Sequence, residues 1–171
     1  MSVKGNISGI IKGYADARNK CIWAENNRKR LVQRTEKMLG SPADADYGKA
    51  CEKVNATRLA ESDKNFIKNY VRAKIYTDVV ETSIRERLEG RTAEIAEDSI
   101  MNGMSVEAAS DKYGLSGITI KRIRRKAFTA IREEITLREE CGNDLSRVFP
   151  QNDTLCVAND TKDVRERYKK P

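Results

Sequence analysis

Five cations fall within the six residues 121–126: Lys121, Arg122, Arg124, Arg125 and Lys126. On one helix such a run is destabilised by like-charge repulsion unless an anion answers it. The chemistry it suggests is the holding of a polyanion. Few other residues in the chain are placed to react. There is no histidine, which removes imidazole acid–base catalysis, Ser–His triads and His-ligated zinc. Cys21, Cys51, Cys141 and Cys156 are too widely spaced for a CxxC metal ribbon. The paired acids Glu133-Glu134 and Glu139-Glu140 are sequence neighbours, which diverge around a helix and form no catalytic couple by themselves. The residues therefore predict a binding protein without catalytic residues, metal site or cofactor.

The elements that must position the cations read clearly. Ser105 is placed to cap a short helix ending at Tyr113, with Glu107 near its positive end. Gly114 then supplies a sharp turn, and Ser116 caps a second helix whose Ile120, Ile123, Ala127 and Ile131 recur at steps of three and four. Ala109, Tyr113, Leu115, Ile120 and Ile123 form the expected inner face, and Ser110 is small where the two helices approach. A short helix, a glycine turn and a longer helix predict a helix-turn-helix over 105–132.

The rest of the chain reads as all-α. Ile10, Tyr14, Ala17, Cys21, Ala24, Arg28, Leu31, Thr35 and Met38 form a heptad-like seam within one long helix over 7–39, broadened by Ile11, Ile22 and Val32. That seam suits either docking on the rest of the chain or a homodimeric coiled coil. Gly40-Ser41-Pro42 stops it, and Asp44 or Asp46 is available to cap the next element. A second long core helix is expected over 62–88, then a shorter one from a Thr92 cap to Asn102. Residues 139–171 carry few apolar side chains and read as a loosely ordered tail, with a short helix near 164–168. The expected divisions are a helical segment over 1–61, a core with the helix-turn-helix over 62–138, and the tail over 139–171.

Of the net charge of +7, residues 1–40 carry +6 and residues 104–138 carry +4, around a slightly acidic middle. Lys20, Arg28, Lys29, Arg30 and Arg34 make a second basic zone, suited to gripping a phosphate backbone or to lying on a solvated helix face. No stretch approaches the roughly 20 apolar residues of a membrane span, and the opening MSVKGNISG lacks the apolar stretch of a signal peptide. A cytoplasmic protein of a bacterial host cell is the expectation.

The stretch GMSVEAASDKYGLSGITIKRIRRKAFTAIR resembles the promoter-reading region four of bacterial sigma factors, above all in Lys121 to Ala127 with Ile131-Arg132. It departs in having Ser110 where the family usually has alanine. Residues 1–90 are too short, and too sparse in clustered aromatics, for the rest of a sigma factor. A helical N-terminal part followed by one such unit is similar to small phage regulators of the ArpU type. The resemblance implies a sequence-specific transcriptional regulator of double-stranded DNA, phage or prophage encoded, acting with bacterial RNA polymerase. It places Gly117, Ile118, Lys121, Arg122 and Arg125 at base edges, and Thr119, Arg124, Lys126 and Arg132 at phosphates. Ser116 and the first amides of the helix would meet a further phosphate. A small terminase-like packaging subunit, or a polymerase-binding protein that does not touch DNA, are the alternative readings.

Overall fold

The computed structural model describes residues 7–149. Within them the chain is all-α, with seven α-helices: α1 (Ile7–Asn27), α2 (Lys29–Leu39), α3 (Tyr47–Asn55), α4 (Glu61–Arg87), α5 (Gly90–Ala96), α6 (Val106–Tyr113) and α7 (Gly117–Glu140). A 3-10 turn, Pro42–Asp44, precedes α3, and a π-helical segment, Glu97–Met101, follows α5.

α4 is the axis of the fold. Its buried residues run from Ile67 through Tyr70, Val71, Ile75, Tyr76, Val79, Val80 and Ile84 and surround much of the helix, the pattern of a helix enclosed by others. α1, α3 and α7 pack around it. α1 runs antiparallel to α4: the Tyr14 hydroxyl donates to Glu81 at 2.8 Å, Lys74 pairs with Glu25 at 2.5 Å, and Arg28 meets Asp63 at 2.7 Å. α7 is antiparallel as well, with Arg87 on Glu134 and Arg138 on Asp78. One hydrophobic cluster joins residues from Ile10 to Phe149, so the expected division between 61 and 62 does not divide the core.

Several boundaries differ from the sequence reading. The helix expected over 7–39 breaks at Arg28, whose φ of −129° and ψ of 41° are not helical. Its guanidinium reaches Asp63 and lies 5.0 Å from the centre of the Phe66 ring. The seam residues Ile10, Tyr14, Ala17, Cys21 and Ala24 are buried where α1 packs on α4, so this part of the seam docks on the rest of the chain. Asp46, not Asp44, caps α3 by accepting from the Lys49 amide at 3.0 Å. Thr92 is not a cap: α5 starts at Gly90, and Thr92 lies inside it.

The expected tail begins too early. Glu139 and Glu140 belong to α7, and Leu145, Val148 and Phe149 are buried, with Phe149 stacked on Tyr76 at a ring separation of 4.3 Å. The helix expected near 164–168, and Cys156, lie outside the described residues. No helix among the described residues is long and apolar enough to cross a membrane.

Candidate nucleic-acid interface

Two capped helices and one tight turn fix the basic run in space. The Ser105 hydroxyl accepts from the Ala108 amide at 3.1 Å and begins α6; the Ser116 hydroxyl accepts from the Thr119 amide at 3.2 Å and begins α7. Both caps satisfy amides that a helix start leaves without partners. Between them Gly114 adopts a left-handed conformation, φ 63° and ψ 36°, and its amide returns to the Ser110 carbonyl. The Leu115 amide also bonds the Ser110 carbonyl, at 3.2 Å, while the Ser110 hydroxyl donates to the Leu115 carbonyl. Serine at this close-approach position therefore ties the turn from both sides, which an alanine would not do.

A polar hub then locks α6 to the element before it. Asp98, in the π-helical segment, accepts from Lys112 and Tyr113 at 2.5 Å each and from Asn102 at 3.0 Å. The hydrogen bonds from Lys112 and Tyr113 hold its carboxyl down to about 2. Arg91 of α5 donates to the Tyr113 carbonyl, at the negative end of α6. Sequence reading missed Asp98 and Arg91, because neither periodicity nor a local motif marks partners that lie on a different helix.

The inner face of α7 is apolar, with Ile120, Ile123, Ala127, Phe128, Ala130, Ile131 and Ile135 buried. Ala109 is fully buried opposite them, while Tyr113 and Leu115 are half-buried. The helix continues through Glu140, past the expected end near Ile131. Ile118, Lys121, Arg122 and Arg125 project as one exposed stripe at steps of three and four, with Lys126 exposed beside it. Among the described residues Lys121, Arg122, Arg125 and Lys126 form no ion pair, whereas Lys112, Arg87 and Arg138 all do.

Arg124, expected at a phosphate, stands apart from this stripe and is half-buried. Its guanidinium folds back to donate to the Met104 carbonyl at 2.5 Å, with Nε buried and without a partner. Burial pulls its pKa down, opposed by Glu107. The signal was available in the sequence: Arg124 sits one turn after Ile120 and one before Ala127 and Phe128, in phase with the buried face. Thr119 and Ser116 share a hydroxyl–hydroxyl hydrogen bond at 2.9 Å in addition to the cap. Arg132 is half-buried, its guanidinium 6.0 Å from the centre of the Phe128 ring. Gly117 is half-buried near Val106.

The second basic zone is divided. Arg28 pairs with Asp63 and Lys20 with Asp16, while Lys29, Arg30 and Arg34 of α2 are exposed and form no ion pair among the described residues. Cys21 and Cys51 are buried thiols and Cys141 is exposed; burial pushes Cys21 up to about 11, away from reactivity. No group of three His, Cys, Asp or Glu among the described residues could hold a metal ion. Compared with known protein families, curated proteins and solved structures, the chain matches none.

Proposed function

We propose that the chain is a sequence-specific double-stranded-DNA-binding protein that regulates transcription, with the N-terminal half of α7 entering a major groove as the recognition helix of a helix-turn-helix. One observation carries this reading: four exposed cations, Lys121, Arg122, Arg125 and Lys126, share one side of a helix whose other side is buried, and none of them forms an ion pair among the described residues. A solvated helix face normally alternates its charges; this one presents a single sign at the tip of a braced two-helix unit. Lys121, Arg122 and Arg125 lie in phase to reach base edges, where Arg or Lys to guanine is the commonest specific contact. Lys126 supplies a phosphate contact, which adds affinity without sequence information. Action beside bacterial RNA polymerase, and a phage origin, rest on the resemblance to sigma region four and the ArpU type.

The test is binding of the purified chain to duplex DNA followed by fluorescence anisotropy across salt concentrations. The logarithm of the binding constant should fall with log salt at about −0.9 per phosphate neutralised. For the four exposed cations the slope is therefore about −4 if each meets a phosphate, and shallower where they reach bases. Absence of duplex binding, or affinity unmoved by salt, overturns the proposal.

A further inference from the structure

The outward tip of α7 is apolar. Ile118 is 67% exposed, the most exposed of the large hydrophobic side chains in the described residues. Its neighbours do not cover it: Gly117 has no side chain, and the Thr119 hydroxyl is held by Ser116. The cations begin one turn later, at Lys121 and Arg122, on the same stripe. Nothing in the fold needs an isoleucine here, since the first turn is already fixed by the Ser116 cap and by Ile120 beneath it.

We infer that Ile118 is a specificity-determining residue that packs on the C5-methyl group of a thymine in the major groove; this rests on the DNA-binding reading of α7. A helix entering a groove by its N-terminal end brings its first turn closest to the base edges. The donors and acceptors of the major groove call for polar partners, and the thymine methyl is its most protruding apolar group, the one that apolar side chains meet. A branched aliphatic chain with no polar atom cannot answer the donors and acceptors. It gains only by covering the methyl. Thymine is thereby selected where Ile118 touches, and guanine where the following turn presents Arg122.

The experiment begins by selecting duplexes from a random library with the full chain. In the selected sequence each thymine is then replaced singly by uracil, which removes only the methyl. At one position the replacement should weaken binding about fourfold, the value of one buried methyl-sized group. In Ile118→Ser that sensitivity should vanish, while the salt slope and the thermal midpoint stay as in the unaltered chain, because Ile118 is exposed. If uracil is tolerated everywhere while the selected duplex still binds tightly, the inference fails and the DNA-binding reading stands. If a sensitive thymine remains equally sensitive in Ile118→Ser, another residue reads it and the inference fails. If no duplex is selected, both the inference and the reading beneath it are overturned.

Discussion

Arg122, Arg124 and Arg125 are close in sequence and differ completely in environment. Arg122 and Arg125 are exposed, while Arg124 spans back to the Met104 carbonyl next to the Ser105 cap. Replacing Arg122 or Arg125 with alanine should weaken binding to the selected duplex by about 1–3 kcal/mol each if they contact bases, with the melting temperature unchanged. Arg124→Ala should do the reverse, removing a hydrogen bond to a backbone carbonyl and costing about 1 kcal/mol of stability. Parallel anisotropy titrations and thermal melts separate the two patterns; equal binding losses at all three positions would refute the division. At this scale the sequence was legible wherever the chemistry is local. Ser105 and Ser116 announce their caps, and Gly114 its turn, because their partners lie within a few residues. Charge type alone groups Arg124 with its neighbours, whereas its helix phase accounts for its half-buried position.

Among the elements, two glycines are constrained for opposite reasons. Gly114 carries a positive φ of 63° with open space around its Cα, so Gly114→Ala meets only the backbone penalty of the left-handed region, about 1–2 kcal/mol. Gly13 is helical, and there alanine would ordinarily gain about 1 kcal/mol. A Cβ on Gly13, however, would overlap the Tyr76 side chain, with Cζ only 2.7 Å away, and Tyr76 is itself held by the stacked Phe149 ring. Gly13→Ala should therefore cost about 1–3 kcal/mol through overpacking, and the double variant Gly13→Ala with Tyr76→Ala should show non-additive losses in denaturant unfolding. Additive losses would mean that α1 and α4 do not press together at this point. The break at Arg28 and the burial of Phe149 both involve partners far along the chain: Asp63 for the first, Tyr76 for the second. Local pattern therefore reveals α1 and α4 as helices but not where α1 gives way to α2.

For the whole molecule, charge pairs between helices govern behaviour in acid. Glu134 is buried, and burial pushes its pKa up, yet hydrogen bonds from Arg138 and Arg87 more than offset this and leave it below the ordinary glutamate value. Asp98 is likewise depressed, to about 2. Groups with lowered folded pKa values contribute stability above their unfolded pKa and lose it as pH falls through the folded value. With no histidine, no side chain ordinarily titrates between roughly pH 5 and 8. The melting temperature should be nearly flat over that range and fall from about pH 4 toward pH 2, with a smaller fall in Asp98→Asn. A steep change near neutrality would contradict this pairing. The same ion pairs have a mechanical consequence. α7 is a single 24-residue helix of about 36 Å, its first half basic on the outer side and packed on α6 beneath, its second half clamped between Arg87 and Asp78 on α4. It contains no glycine or proline after Gly117 and so has no residue that favours a hinge. A ligand seated on the exposed side of the first half pushes against a helix braced from beneath by α6 and anchored on α4 beyond it. Adjustment of fit must then come from the ligand, and a duplex whose sequence bends readily would bind better than a stiff one offering the same base edges.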